Sequence, residues 1–251
     1  MHSGKKSVPE NLFTLFGRQT VLEALQDPEL KYFKLHLADS NKEGGVIADI
    51  LRIADKKGIP VSYHSRLALS RISRNGKQDQ GVALDILMPH IRDSQTLLEQ
   101  MRQHPLRLIA LDNITNPQNL GMILRSVCAG GMDGIIIPKK GCARLDALVI
   151  KASAGTFFRT PIYQCEKLSD ALQQLQAADA HLYLMDANAS TSLFKHQQTG
   201  TAVYVLGNET EGVSERIKAL PHQSLGVPMA NNVESLNVAM AATLIAYQSH
   251  R

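Results

Sequence analysis

At 251 residues, 44% of them apolar and 20% charged, the chain has the make-up of a globular protein with room for one large or two modest domains. No apolar run reaches membrane-spanning length and MHSGKKSVPENL lacks the hydrophobic core of a signal peptide, so a cytoplasmic protein without a membrane partner is expected. The net charge of +4 admits a polyanionic partner without demanding one.

The residues up to about Val8 read as a disordered basic tail. A regular alternation follows. FGRQTVLEALQ spaces Val21, Leu22 and Leu25 as a helix does, KYFKLHLA alternates like a half-buried strand, and GGVIADILRIADKKG is an amphipathic helix stopped by Gly58. PVSYH is a strand, LALSRIS a short helix and GVALDIL another strand. Residues 10–88 therefore form a small α/β domain, with 13 Lys/Arg against 10 Asp/Glu over residues 1–90. Arg66, Arg71, Arg74 and Lys77 gather around the polar loop SRNGKQDQG, which is either a solvated surface loop or a phosphate-contacting patch. The proline-bounded PHIRDSQTLLEQMRQHP breaks the alternation, so residues 89–105 are expected to be a linker, with a short helix in its middle.

A second alternation occupies residues 106–251. LRLIALD is a buried strand, NLGMILRSVCAGG a helix ended by glycines, GIIIP a strand and RLDALVIKASAG a helix. PIYQ, LSDALQQLQAA, HLYLMDA, TAVYVLGN and SERIKAL continue the series as strand, helix, strand, strand and helix. The last strand closes on Val227-Pro228-Met229, and a helix running from Leu236 to Tyr247 follows a polar loop. That helix is apolar or small at nearly every position, so protein must cover both its faces. Strands alternating with helices make a mostly parallel sheet covered on both sides. The three cysteines, Cys128, Cys142 and Cys165, lack a CxxC pair and read as reduced, buried and inert. Nine scattered histidines without HxH or HExxH give no metal site.

In open α/β sheets ligands bind at the carboxyl ends of the strands. Three such ends carry unusual residues here. NITNPQNLGMILR follows LIALD, with a turn at Asn116-Pro117, a Gly121 that admits a close neighbour, and Asn119 and Arg125 six apart. GNETEGVS follows AVYVL, and PMANNVESLN follows LGV. Ser235 fits the N-cap of the last helix. Asn237 would then lie past the cap, where its amide needs partners that a ligand can supply. Neither GxGxxG nor GxxxxGK[ST] is present, which argues against a standard dinucleotide or ATP site. A ligand bearing adenosine without phosphates remains compatible.

NPQNLGMILRS, LGNETEG and VPMANNVESLNVAMA resemble, in order, three motifs of the SpoU (TrmH) family of RNA 2′-O-ribose methyltransferases. The likeness covers residues 106–251, and three motifs in register are far more specific than any one. GRQTVLEAL and QGVALDI resemble the N-terminal RNA-binding extension of the family's 23S rRNA guanosine branch, although Asp79-Gln80-Gly81 stands where many relatives carry His-Gln-Gly. Thr210 and Ala239 are lesser departures. The resemblance implies a parallel-sheet methyltransferase domain of SPOUT type with a trefoil knot, S-adenosylmethionine as cofactor, RNA as substrate, and a homodimer. It assigns Leu206, Gly207, Asn208, Gly212, Val227, Met229 and Leu236 to the cofactor pocket, and Asn119, Arg125, Glu209, Ser235 and Asn237 to the polar site beside the reacting methyl. Arg18, Arg66, Arg71, Arg74 and Lys77 become the RNA-binding set.

Methyl transfer from a sulfonium needs no metal, only a nucleophile placed in line and relieved of its proton. A guanidinium stays protonated, so Arg125 is read as clamping an RNA phosphate and orienting the hydroxyl, with Glu209 holding Arg125 or Asn119. Without the other two motifs Arg125 reads as a surface ion pair, and Glu209 as an ordinary carboxylate at a helix start. Ribosomal RNA is the favoured substrate and tRNA the runner-up. A catalytically silent RNA-binding relative, or an unrelated enzyme acting on a small metabolite, are the other readings. The exposed circumference of the last helix, with small residues at Ala239, Ala241, Ala242 and Ala246, is expected to pair two copies, and Ala242→Arg to split them.

Overall fold

The computed structural model describes residues 12–28, 30–42, 44–88 and 91–248. The expected basic tail lies outside them. The chain divides into two compact units, one on either side of residues 89 and 90 in the sequence.

The smaller unit runs β1 (Leu12–Phe16), α1 (Arg18–Gln26), β2 (Lys31–Ala38), α2 (Gly45–Lys56), β3 (Val61–His64), α3 (Arg66–Ser73) and β4 (Val82–Leu87). Its sheet has the order β1-β4-β2-β3, with β4 antiparallel to both neighbours and β3 parallel to β2. Alternation decides the faces: Leu15, Leu35, Leu37, Leu84 and Ile86 are buried on one side. The periodicity of α2 turns Ile47, Ile50 and Ala54 inward, each large side chain contributing about 1.5–3 kcal/mol. Ser65 caps α3 by accepting from the Ala68 amide, and Arg74 ends it in the left-handed region.

The larger unit runs β5 (Ile91–Asp93), α4 (Thr96–Met101), β6 (Arg107–Leu111), α5 (Pro117–Ala129), β7 (Gly134–Pro138), α6 (Ala147–Ala152), β8 (Ile162–Cys165), α7 (Leu168–Ala177), β9 (His181–Met185), β10 (Ala202–Leu206), α8 (Glu215–Lys218), β11 (Gln223–Leu225) and α9 (Val238–Tyr247). Its seven strands are all parallel, in the order β11-β9-β10-β6-β7-β8-β5. The sheet is the doubly covered parallel kind that the alternation predicts, and its strands are near-continuous apolar runs for that reason.

The expected linker is corrected. Residues 91–93 form an edge strand in register with Ile162, Tyr163 and Gln164, Leu97 of α4 is fully buried in the core of the larger unit, and Tyr163 donates to the Gln100 side chain at 2.7 Å. A strand of three residues is too short to show alternation. The prolines therefore bracket an edge strand and its helix rather than free chain.

The start of the last helix is also corrected. Asn237, not Ser235, is the N-cap of α9, accepting from the Ala239 amide at 2.9 Å. Nor are all sides of α9 covered within the chain: Val238, Ala239, Ala242, Ile245 and Ala246 are buried, whereas Met240 and Tyr247 are exposed. Ala242 faces inward, so Ala242→Arg would disrupt the unit itself rather than report on pairing. Ala246 lets α9 approach the end of α5 closely: a Cβ at Gly130 would lie 2.6 Å from the Ala246 Cβ.

Candidate active site

Strand order reverses at β6. The chain steps from β6 to β7 and β8 on one side, then crosses to place β9 and β10 on the other. The crevice at such a reversal, outside the carboxyl ends of the strands, is where open α/β sheets bind ligands. Here the loops after β6 and β10 are fastened together: the Ser214 amide donates to Asp112 Oδ2 at 2.7 Å, and Asn208 Nδ2 donates to the Asn113 carbonyl at 3.1 Å.

The loop GNETEG is closed on itself. Asn208 and Gly212 exchange two backbone hydrogen bonds, and Asn208 Oδ1 accepts from the Thr210 amide at 2.8 Å. Gly207 is required by space, since a Cβ there would lie 2.1 Å from the Gly212 carbonyl carbon. Gly121 plays a similar part beneath the site, where a Cβ would meet the Val149 carbonyl oxygen at 2.7 Å, so the close neighbour it admits is α6.

Glu209, at the tip of that loop, gathers two asparagines. Asn116 caps α5 by accepting from the Gln118 amide, and Pro117 opens the helix, which aims Asn119 at the loop from the first turn. Asn119 is buried, and its Nδ2 donates to Glu209 Oε1 at 2.6 Å. Asn237 Nδ2 donates to the same oxygen at 3.0 Å and to Asn119 Oδ1 at 3.1 Å. Asn237 is thus used at both ends of its amide, capping α9 with the oxygen and joining Glu209 and Asn119 with the nitrogen. A ligand is not needed to satisfy it, contrary to the expectation from sequence. Each of the three strand-end motifs contributes one member of this triangle.

A cleft of about 600 Å³ opens beside it, within the range of small-molecule sites. Leu206, Gly207, Asn208, Gly212, Val227, Met229 and Leu236 all line it, as do Glu209 and Ser235. Asn119, Asn237 and Arg125 do not; the first two border it through Glu209. Arg125 is exposed on α5 and, among the described residues, no hydrogen bond or ion pair holds its guanidinium. Glu209 therefore holds Asn119 and Asn237, not Arg125. Sequence reasoning missed one wall, Leu184 to Asn188 at the end of β9. The strand HLYLMDA carried that signal, but its relevance depends on β9 lying between β10 and β11, an order that sequence does not show.

The cysteines take no part. Burial pushes the thiols of Cys142 and Cys165 up to about 11, so both stay protonated at neutral pH. Among the described residues no group of three or more His, Cys, Asp or Glu is placed to hold a metal ion, and no helix is long and apolar enough to cross a membrane.

In the smaller unit the five basic candidates divide. Arg18 is engaged, its Nε donating to the Gln80 carbonyl and its Nη2 to Asn41 Oδ1, both at 3.2 Å. It pins two loops together. Arg66, Arg71, Arg74 and Lys77 are exposed on α3 and the turn after it, with no side-chain partner among the described residues. Asp79 is buried and accepts from Ser73 Oγ and the Gly81 amide. It locks the turn and leaves the cations outside.

The model described as the SpoU rRNA Methylase family matches residues 107–247. One described as RNA 2′-O ribose methyltransferase substrate binding matches residues 14–91. An uncharacterized tRNA/rRNA methyltransferase of Mycolicibacterium vanbaalenii is 32% identical over 246 residues, 96% of this chain and 77% of that one. One of Mycolicibacterium smegmatis is 31% identical over 97% of this chain and 77% of that one. Among solved structures, an AdoMet-bound rRNA methyltransferase from Sinorhizobium meliloti aligns with a TM-score of 0.67 at 21% identity, over 96% of this chain and 87% of that one. The SpoU methyltransferase AviRb from Streptomyces viridochromogenes, in complex with AdoMet, aligns with a TM-score of 0.68 at 21% identity, over 95% and 89%. At those identities the structures speak to the fold.

Proposed function

The chain belongs to the SpoU rRNA methylase family, and from that premise we propose that it transfers a methyl group from S-adenosylmethionine to a ribose 2′-hydroxyl of RNA, in the cytoplasm, with a guanosine of 23S rRNA as the target. The observation that carries the reading is the triangle of Asn119, Glu209 and Asn237 at the mouth of the switch-point cleft.

The cleft suits this cofactor on its own chemistry. Its walls combine apolar side chains such as Leu206, Val227 and Leu236 with the backbone of the Gly207–Gly212 loop, which can grip an adenosine edge. Asp186, Glu209, Glu211 and Glu234 also line it, against Lys218 and His222, and Lys218 is already tied to Glu215. A surplus of carboxylates favours a ligand with cationic sulfonium and ammonium groups and disfavours one with phosphates. When bound, S-adenosylmethionine supplies an electrophilic methyl. Glu209 and Ser235 face the opening where the ribose enters, and the two asparagine amides hold Glu209 in place behind it. The fork of Arg125, without a partner among the described residues, clamps the neighbouring phosphate and turns the hydroxyl into line, and an oxygen of that phosphate takes the proton the hydroxyl gives up. The cations of α3 supply further phosphate contacts.

The reading extends to a homodimer and a knotted C-terminal segment. Met122 on α5 and Met240 and Tyr247 on α9 are 40%, 60% and 43% exposed on adjoining helices, which supports a second copy covering them. Gln248 donates to the carbonyls of Leu193 and His196, fastening the end of α9 to the loop before β10, an attachment that supports the knotted reading.

The test is a map of ribose methylation over all RNA in a strain lacking the gene. One missing methyl in 23S rRNA is the expected result. A missing methyl in tRNA would move the target, and an unchanged map would remove the proposed substrate.

A further inference from the structure

One polar side chain from each strand of the smaller sheet joins a single chain of hydrogen bonds. Thr14 Oγ1 on β1 donates to Asp85 Oδ1 on β4 at 2.6 Å, His36 Nε2 on β2 meets Asp85 Oδ2 at 3.0 Å, and His36 Nδ1 meets His64 Nε2 on β3 at 2.9 Å. Register aligns them, since Thr14 pairs with Asp85 and His64 pairs with Ala38, two positions beyond His36. Asp85 and His36 are buried, whereas His64 is half-buried at the exit of β3. Taking a carboxylate and an imidazole out of water costs stability unless each polar atom is matched. Apolar residues would hold the sheet without that cost.

Donor and acceptor roles follow from the carboxylate. An ionised Asp85 only accepts, so His36 gives it the Nε2 proton and turns a bare Nδ1 toward His64. His64 must then carry its own proton on Nε2, which leaves its Nδ1 bare. Among the described residues that Nδ1 has no partner, and it is not enclosed. One added proton reverses it. Whether the charge settles on His64 or on His36 beside Asp85, the outer Nδ1 gains a hydrogen.

The surroundings of this atom suit a nucleic acid strand. Tyr63 is 59% and Leu67 67% exposed, and residues 61–78 contain Arg66, Arg71, Arg74 and Lys77 with no acidic residue. Tyr63 lies on the opposite face of the strand from His64, and the unopposed cations that follow it provide phosphate contact for single-stranded RNA. Burial, then His36 and Lys34, lower the proton affinity of His64, and Asp39 opposes them. Asp85 acts on it through His36, and α3, packed against the strand, presents only Arg66 and Arg71 as charged groups. At neutral pH the exposed atom is therefore an acceptor.

We propose that His64 Nδ1 is an RNA contact that accepts from a donor on the bound strand, a ribose 2′-hydroxyl or a base amino group, with His36 and Asp85 as positioning residues that hold its tautomer. The inference rests on the reading of the smaller unit as RNA-binding. Acid turns the acceptor into a donor, so the contact is lost even as the surface gains positive charge.

The test uses the full chain and a fluorescein-labelled single-stranded RNA of about twenty nucleotides beside the DNA of the same sequence, with binding read by anisotropy at about pH 8 and about pH 5, the lower value set well below the ordinary histidine value because that of His64 is lowered. RNA affinity is expected to fall about fivefold in acid, the weight of one neutral hydrogen bond. His64→Phe should show the weaker affinity at both pH values, and Asp85→Asn should move the step to lower pH. Loss with RNA alone identifies the hydroxyl, and loss with both strands identifies the amino group. Nitrogen shifts of the His64 ring, measured without RNA, should show Nδ1 bare at the higher pH and protonated at the lower. Equal RNA affinity of His64→Phe and wild type at the higher pH, affinity that rises with acid in the wild type, or an Nδ1 already protonated at the higher pH would each overturn the proposal. If wild type binds no RNA at either pH, the RNA-binding reading itself fails and the contact falls with it, whatever the ring shifts show.

Discussion

The polar groups of the larger unit's cleft are fastened to one another, while the cations of α3 and the turn after it in the smaller unit have no side-chain partner among the described residues. Glu209, Asn119 and Asn237 close a triangle, whereas Arg66, Arg71, Arg74 and Lys77 reach into solvent. The difference matches two tasks. Placing a hydroxyl in line with a methyl tolerates little displacement, so its groups must be set before the substrate arrives. Holding a polyanion needs charge and reach, and its long side chains can settle after contact.

Breaking the triangle should have the largest effect. Glu209→Ala releases both asparagines and should lower methyl transfer by about two orders of magnitude or more, as displacement of a positioned group does. Calorimetry should find cofactor binding reduced far less, and an equal fall in both would mean that Glu209 is only a wall of the cleft. Asn237→Ala should show a comparable loss of transfer together with about 1 kcal/mol of stability, because the α9 cap goes with it. Full activity in a thermally destabilised Asn237→Ala would leave the residue a cap and nothing more.

Arg125 sharpens the comparison, since it sits in the larger unit yet, among the described residues, is unpaired like the cations of the smaller one. Arg125→Ala should lower transfer while leaving cofactor affinity intact, and Arg125→Lys should not restore it, because an ammonium lacks the planar fork. Rescue by lysine would make the residue a point charge. Reversing Arg71, Arg74 and Lys77 together should weaken RNA binding and reduce the slope of log affinity on log salt by about two for three lost single-strand phosphate contacts. An unchanged slope would return that turn to a solvated surface.

The smallest expected effect is on stability. The proton affinity of His64 is lowered in the folded unit, so the unfolded chain binds more protons in mildly acidic solution. Its contribution is complete above the ordinary histidine value near 6.5 and declines as pH falls below it. Melting of the smaller unit should thus come at lower temperature in mild acid, and the difference should vanish in His64→Phe.

Much of this was legible because it is local. The turn at Asn116-Pro117, the glycines of GNETEG and the apolar strands sit within a few residues of what they build. Asn237 was misassigned because Leu236, which lines the cleft, extends the apolar run past the true start of α9. Ala242 looked like a docking position because an apolar stripe does not say whether the chain itself already covers it, and Ala242 is fully buried. The wall after β9 was invisible without strand order, and the four-strand chain from Thr14 to His64 needs a register that no single strand encodes.

The central claim, that the triangle serves transfer to a ribose oxygen, is tested most directly by alkaline hydrolysis of RNA labelled from methyl-tritiated S-adenosylmethionine. Strand cleavage by base needs a free 2′-hydroxyl, so a ribose-methylated nucleotide leaves in an alkali-resistant dinucleotide, and a base-methylated one leaves as a mononucleotide. The account predicts tritium in dinucleotides with wild-type protein and almost none with Glu209→Ala, although the variant still binds the cofactor. Tritium in mononucleotides, or undiminished dinucleotide label with Glu209→Ala, would contradict it.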